Sequence, residues 1–293
     1  MAYLSAFPRA LITPESAAIK RVIEKTIIGT YAPAEPFISR ATKIASVGSC
    51  FAAEISNVMR GSGFQVVEVP MAETSNSAFA LDQYLSLFTG QSVSSGFLGD
   101  AKLEKNLTQQ TISEFLSADV YIITFGMSLC WFNSNHEFIA APPQVFENLP
   151  STSIIKSDAG YYMRQTTVEE NEEAIQRCID KIKSVRPNAT IIMTLSPVPL
   201  AGTRYSIPAV PANTLSKAVL RTALESVKNR EAANIFYWPS YEIVTWFGCH
   251  VERSFGEDDK DARHVREKVF KIIGNLFVEL YMEKEVAALA PKP

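Results

Sequence analysis

The fold of this chain is decided by the stretch from Lys43 to Glu54, which reads KIASVGSCFAAE. A short apolar run is broken there by Gly48-Ser49-Cys50 and continues at once in a helical pattern. A side chain at such a strand-to-helix turn faces the crevice in which open parallel sheets bind ligands. The dipole of the following helix stabilises a thiolate and developing negative charge there. The stretch therefore predicts an α/β sheet, with either a functional turn or an ordinary connection, since Gly-Ser turns are common.

The rest of the chain repeats the same alternation of strand and helix. Short β-branched or aromatic runs predict five strands: Lys43–Val47, Phe64–Val69, Val120–Phe125, Thr190–Leu195 and Asn234–Trp238. Helical periodicity marks five other segments: Ala52–Arg60, Ala78–Phe88, Val168–Val185, Leu215–Lys228 and Arg263–Tyr281. Such alternation is typical of a parallel sheet with helices on both faces. We therefore predict a three-layer α/β/α fold with a five-stranded parallel sheet in a flavodoxin-like arrangement.

Two segments lack periodicity and are predicted as irregular loops. They run from Asn133 to Thr166 and, rich in proline, from Ser196 to Asn213. Loops of this length inside a compact domain are usually functional or mobile. We expect the second loop to fold over the carboxyl edge of the sheet as part of the substrate wall, with Arg204 or Tyr205 in contact with substrate. His136, in the first loop, is expected at the surface.

The composition indicates one globular domain without a nucleic-acid partner. Among 293 residues, 28 are Lys or Arg and 31 are Asp or Glu, which gives a net charge of -3. This charge does not indicate a basic surface for binding nucleic acid or an anionic membrane. Apolar residues make up 47%, and no repeat or linker divides the chain. We predict a single domain over residues 1–293, with residues 1–40 packing on it as an amino-terminal extension.

The chain carries no obvious targeting, membrane or metal signal. Its first residues lack a basic start followed by an apolar core, and the longest apolar run, 120–132, is too short to span a bilayer. Four cysteines occur, at positions 50, 130, 178 and 249, without a Cys-x-x-Cys pair. That spacing favours neither a disulfide framework nor structural zinc. We expect a cytoplasmic protein without a membrane span, metal or cofactor.

Five motifs, in order, resemble those of the GSCFA family, a branch of the SGNH (GDSL-type) hydrolase superfamily. The first is the Gly-Ser-Cys-Phe-Ala signature at 48–52. The others are Thr124–Ser128, Thr194–Leu200, Asn213–Arg221 and Tyr237–Ile243. The resemblance runs from about Ala41 to Arg266, which is most of the chain.

What the resemblance implies is an SGNH-like catalytic arrangement, whose acid and base come from an Asp-x-x-His motif before the last helix. Asp261 and His264 have that spacing here. The chemistry needs an imidazole within reach of the nucleophile and a carboxylate that fixes its tautomer. The alternative is a solvated charge run over residues 257–261 with a surface histidine beside it.

The nucleophile motif departs from the superfamily pattern. Aligning Gly48 with the glycine of Gly-Asp-Ser puts Ser49 at the aspartate and Cys50 at the serine nucleophile. A thiol paired with histidine is a good nucleophile, so Cys50 is one candidate. A shift of one residue would instead make Ser49 the nucleophile and Cys50 a packing residue. The third possibility is that neither has a covalent role.

Several groups are candidates to hold an oxyanion. Backbone amides at the helix start, next to Gly48, and at Gly126 are the natural donors. Superfamily members also use an asparagine after the third strand, where this chain has Ser128, a weaker donor. Asn76, after the second strand, is a candidate replacement, or else a loop residue or helix cap.

The adjacent pair Ser216-Lys217 is not expected to form a catalytic dyad. Neighbouring positions on a helix diverge by about 100°, so their side chains point apart. We expect Ser216 near the amino end of a helix.

Three functions compete. The leading hypothesis is an esterase or acyltransferase that acts on an O-acylated carbohydrate or small metabolite through a covalent acyl-enzyme. Its rival is a binding or scaffold protein that kept the fold and lost the chemistry, which the missing Gly-Asp-Ser favours. A thioester-handling biosynthetic enzyme is favoured only if Cys50 is the nucleophile.

Overall fold

The computed structural model describes residues 18–48, 50–93, 107–139, 160–203, 206–230, 234–256 and 262–283. Its strands are β1 (Ile44–Gly48), β2 (Val66–Pro70), β3 (Val120–Phe125), β4 (Leu129–Asn133), β5 (Phe138–Ile139), β6 (Tyr161–Gln165), β7 (Thr190–Leu195) and β8 (Ile235–Trp238). Its α-helices are α1 (Ala18–Ile23), α2 (Cys50–Gly61), α3 (Ala78–Phe88), α4 (Gln109–Leu116), α5 (Val168–Val185), α6 (Ala209–Arg230), α7 (Ser240–His250) and α8 (Glu267–Tyr281). Across the described ranges, no helix has the length and apolar character needed to cross a membrane.

The main sheet is parallel throughout, as the alternating pattern predicts. Its strand order is β2-β1-β3-β7-β8, and each neighbouring pair runs parallel. This is the flavodoxin-like order, in which the chain reverses its direction of winding between β1 and β3. Ligands of such sheets bind beyond the carboxyl ends of the strands at that point. The turn after β1 therefore opens onto the crevice.

Helices cover both faces of this sheet, which confirms the three-layer prediction. Tyr121 and Ile123 of β3 point into one core, which α3, α5 and α6 complete. Ile122 points into the other, which α2, α7 and α8 complete. This second core also takes up four isoleucines from the amino-terminal segment: Ile19, Ile23, Ile28 and Ile38.

The two segments predicted as irregular contain regular structure. Part of 133–166 forms β5 and β6, which pair with β4 in a small antiparallel sheet of order β5-β4-β6. Helix α6 begins at Ala209, inside the proline-rich segment and six residues before the predicted start at Leu215. Pro211 is compatible with this helix because the amides of a first turn need no partner within the helix. The loop after β7 is correspondingly shorter than expected.

The small sheet borders the crevice. It follows β3 directly, after the short loop Gly126–Ser128. Met163 of β6 packs in one apolar cluster with Met127 and with Leu200 from the loop after β7. The small sheet therefore forms a side wall beyond the carboxyl end of β3.

Helix α3 is docked on α5 by a buried carboxylate. Asp82 is 4% exposed, accepts a hydrogen bond from Arg177 Nε at 2.8 Å and pairs with Lys181. The helix is capped by Ser77, whose side chain accepts from the Ala80 amide at 3.2 Å. The position of α3, and of the residues just before it, therefore depends on this ion cluster.

We expect Asp82→Ala to lower the free energy of unfolding by about 2–3 kcal/mol, because it leaves the Lys181 ammonium, with a side chain only 13% exposed, without its carboxylate. The matched control is Glu267→Ala, which removes an exposed pair with Lys271 and should change stability by about 0.5 kcal/mol or less. Urea unfolding measures both values. Equal effects of the two variants would contradict the docking role of Asp82.

Candidate active site

The last residue of β1 lies in close contact with β3. Gly48 ends β1 with φ +149°, a conformation that L side chains rarely adopt. A Cβ on it would lie 2.8 Å from Thr124 Cβ and 3.0 Å from the Thr124 carbonyl oxygen. The Gly48 carbonyl accepts from the Met71 amide at 2.8 Å, and Cys50 is the first residue of α2. Glycine at this position therefore places the start of α2 at the carboxyl edge of the sheet.

Asn76 lies between β2 and α3 and is 3% exposed. Its main-chain carbonyl accepts from the amides of Gly126 and Met127, each at 3.0 Å. Its side-chain Nδ2 lies 2.5 Å from the point that a Cβ on Gly126 would occupy. Within the described ranges, this side-chain amide makes no hydrogen bond. Because Gly126 has no side chain, the buried side-chain amide of Asn76 fits beside it. The N–H groups of this amide are free to bind a ligand.

A small cavity lies against this amide. Its volume is about 20 Å³, which is roughly the space that one water-sized group needs. Polar groups and apolar side chains from three loops line it: Glu73, Asn76, Gly126, Met127, Ser196, Val198, Pro199 and Leu200. The loops after β2, β3 and β7 therefore meet around a space that fits one small group.

His264 lies in the turn that precedes α8 and is exposed. Its carbonyl accepts from the Gly256 amide at 2.9 Å, and the next residue, Val265, forms an antiparallel bridge with Phe255. These backbone contacts hold the turn that contains His264 against residues 254–256. The histidine is thus held at a defined place while its side chain stays accessible to solvent.

Arg263 ties this turn to the cavity. Its guanidinium pairs with the Glu73 carboxylate and donates to the Pro199 carbonyl at 3.3 Å. Glu73 and Pro199 both line the cavity. Arg263, the residue directly before His264, therefore reaches the cavity that Asn76 also lines. Sequence reasoning missed Arg263, although it stands inside the motif, directly before His264.

Five positions singled out from the sequence are not fully described. Four of them lie outside the described residues: Ser49, Arg204, Tyr205 and Asp261. The fifth, Cys50, has a described backbone at the start of α2, whereas its side chain lies outside the description.

Two expected oxyanion donors are already engaged. The Gly126 amide donates to Asn76, as described above. Ser128 is fully buried, its amide donates to Ser216 Oγ at 2.8 Å, and its hydroxyl donates to the Ser216 carbonyl at 3.1 Å. Ser216 lies well inside α6 and not near its amino end, because the helix starts at Ala209. The Gly126 amide and the Ser128 donors are therefore already used in hydrogen bonds within the protein.

The described thiols differ sharply in accessibility. Cys130 and Cys178 are buried, and burial raises the pKa of the Cys130 thiol to about 12 and that of Cys178 well above its usual value. Cys249 is exposed. In the part of the chain that the structure describes, no three His, Cys, Asp or Glu side chains are grouped as metal ligands.

Solved structures similar to this chain share little sequence with it. A family 3 carbohydrate esterase from Clostridium thermocellum is 13% identical with a TM-score of 0.36, and 87% of this chain and 100% of that chain are covered. A putative GDSL-like lipase from Parabacteroides merdae is 11% identical with a TM-score of 0.43, with 87% and 99% covered. The periplasmic domain of a lipopolysaccharide acetyltransferase from Salmonella ser. Paratyphi A is 11% identical with a TM-score of 0.38, with 82% and 84% covered. No curated protein sequence matches this chain.

The family comparison covers most of the molecule. The sequence model of the GSCFA family matches residues 43–277. This span includes the main sheet from β1 to β8, the cavity and His264. The chain belongs to the GSCFA family.

Proposed function

We propose that this chain is an esterase or acyltransferase that acts on an O-acylated carbohydrate or small metabolite through a covalent acyl-enzyme. The observation that carries the proposal is the contact of Arg263 with Glu73 and Pro199. It brings the segment of His264 to the same rim as the available amide of Asn76. The turn that begins α2 opens at this edge of the sheet as well.

In the proposed reaction, the Cys50 sulfur attacks the acyl carbonyl carbon, and His264, oriented by Asp261, takes the thiol proton. The carbonyl oxygen becomes an oxyanion, which Asn76 Nδ2 and amides at the start of α2 stabilise. The bond to the leaving oxygen then breaks, and His264 returns its proton to that oxygen. Water or an acceptor hydroxyl attacks the thioester and gives a proton to His264, which protonates the departing sulfur. If Ser49 is the nucleophile, its hydroxyl follows the same steps.

The size of the cavity favours a small acyl group. Its polar side holds the Asn76 amide, and its apolar side is formed by Met127, Val198 and Leu200. A volume of about 20 Å³ suits a methyl group beside the oxyanion donor. We therefore propose acetyl esters as the preferred substrate class.

Replacing the nucleophile or its base should abolish turnover. Cys50→Ala and His264→Ala should each lower kcat for an activated acetyl ester by about 10³-fold or more, whereas Ser49→Ala should be milder. His250→Gln, which alters another exposed histidine, should keep wild-type activity. An inactive Ser49→Ala beside an active Cys50→Ala would make Ser49 the nucleophile.

Alkylation with iodoacetamide gives an independent readout of the same assignment. Cys249→Ser should serve as the background, because Cys249 is exposed and would be labelled as well. In that background the reagent should label Cys50 ahead of Cys130 and Cys178, and the label should block activity. Activity that survives in all three active-site variants, or is absent from the wild type with every ester tried, would favour the binding or scaffold function.

Asn76 and Gly126 should behave as one functional unit. Asn76→Ala removes the oxyanion donor and should lower kcat by about 10²-fold to 10³-fold. Gly126→Ala should have a similar effect, because its Cβ would displace Asn76 Nδ2. The double variant should lose little more than either single variant. Asn229→Ala, on the exposed end of α6, is the control and should keep wild-type activity. If the losses of kcat in Asn76→Ala and Gly126→Ala add up in the double variant, the two residues act independently.

Acyl-chain length should affect the rate strongly. We expect kcat/KM for an acetyl ester to exceed that for the matching butyryl ester by about 10-fold or more, since a filled pocket rejects added methylenes. Leu200→Ala should reduce this ratio by enlarging the cavity, whereas Leu215→Ala, at an exposed position on α6, should not. A wild-type enzyme that prefers butyryl esters would refute the assignment.

A further inference from the structure

Two consecutive residues of α6 hold the loop that carries Gly126. Lys217 is 1% exposed, and its ammonium donates to the Gly126 carbonyl at 2.7 Å. Ser216 is fully buried and accepts from the Ser128 amide at 2.8 Å. Although neighbouring helix positions diverge, both side chains contact the same three-residue loop, one at each end.

Packing alone does not account for a lysine at this position. Burying an ammonium group is costly unless hydrogen bonds compensate for its lost hydration. An unbranched apolar side chain of similar length, such as methionine, would fill the same space without burying a charge, but it would leave the Gly126 carbonyl without this donor. What lysine adds is a positive charge and a donor aimed at the Gly126 carbonyl.

The bond from Lys217 continues as a chain of hydrogen bonds that ends at Asn76. One peptide unit joins Gly126 to Met127. Its carbonyl accepts from Lys217, and its N–H, that of Met127, donates to the Asn76 carbonyl at 3.0 Å. Hydrogen bonds in such a chain polarise and strengthen one another. The buried charge of Lys217 therefore reinforces the contact that fixes the main chain of Asn76.

We propose that Lys217 is a positioning residue for the oxyanion hole: it fixes the Gly126–Met127 peptide unit, which holds the main-chain carbonyl of Asn76 and thereby positions the side chain that carries Nδ2. Lys217 itself contacts no substrate in this role. The inference rests on the proposed function, in which Asn76 Nδ2 binds the oxyanion. It assigns a purpose to the Ser-Lys element of α6 that is distinct from general acid or base catalysis.

Lys217→Met is the deciding variant. It should lower kcat for an acetyl ester by about 10-fold to 100-fold, since a small misplacement of a catalytic group has effects of this size. KM should stay within about twofold, because the lost interaction belongs to the transition state. Lys228→Met makes the same change on the same helix, about 16 Å further along its axis, and should have no effect. Lys217→Gln, which keeps a donor without the charge, should be intermediate and replaces the methionine variant if that fails to fold.

A double-mutant cycle separates positioning from general destabilisation. If Lys217 acts through Asn76, Lys217→Met should have almost no effect on kcat in the Asn76→Ala background. A full additional loss there, or an unchanged kcat in the wild-type background, would overturn the inference.

Hydrogen exchange distinguishes failure of this inference from failure of the proposed function. The amides of Gly126 and Met127 should exchange faster in Lys217→Met than in the wild type, by more than any accompanying shift in the midpoint of urea unfolding explains. Faster exchange in a protein that hydrolyses no ester would support the positioning of the loop and refute only the proposed function. Unchanged exchange would refute the positioning role whatever the activity.

Discussion

The site depends on one constraint: the loops after β2 and β3 can meet only beyond the end of β1, which lies between them in the sheet. Strands two places apart are separated by roughly 10 Å, too far for a direct hydrogen bond. The Asn76 carbonyl nevertheless accepts from the amides of Gly126 and Met127. This contact requires β1 to stop and turn away, and the backbone at Gly48 makes that turn. The start of α2 is thereby confined beside the bridge between the two loops.

Stability and function use different parts of the molecule. The two faces of the sheet are packed with aliphatic and aromatic side chains, which supply the apolar burial that drives folding. Polar groups are buried at the carboxyl edge instead, among them Lys217, Ser128 and Asn76. The Thr124 hydroxyl, next to Gly48, is buried there without a hydrogen-bond partner among the described residues. Local departures from full polar satisfaction are expected at functional sites.

The fold could be predicted where local sequence signals agree with the tertiary structure. Helix α5 has the predicted bounds because Thr167 and Glu170 form a capping box at its start. Helix α7 is absent from the predicted elements, and its aromatic and β-branched residues, such as Val244 and Trp246, favour a helix only weakly. The first turn of α6 was missed because Pro211 suggests a break. In each failure, tertiary packing overrides a weak local preference.

The candidate site was predictable only in part, because its defining contacts join residues far apart in the chain. Asn76 meets Gly126 across fifty positions, and Lys217 reaches the same glycine from ninety-one positions away. No spacing rule can connect such residues.

In the proposed function, the asparagine in the loop after β2 takes the place of an oxyanion donor after the third strand. The SGNH resemblance implies an asparagine after that strand, in place of which this chain has Ser128, whose hydroxyl is bonded to α6. The side-chain amide of Asn76 comes from the other side of β1 and needs space beside the loop after β3. Glycine at position 126 leaves this space because it has no Cβ. In the proposed function, Asn76 and Gly126 therefore act together: Asn76 supplies the oxyanion donor, and the absence of a Cβ on Gly126 leaves the space for it.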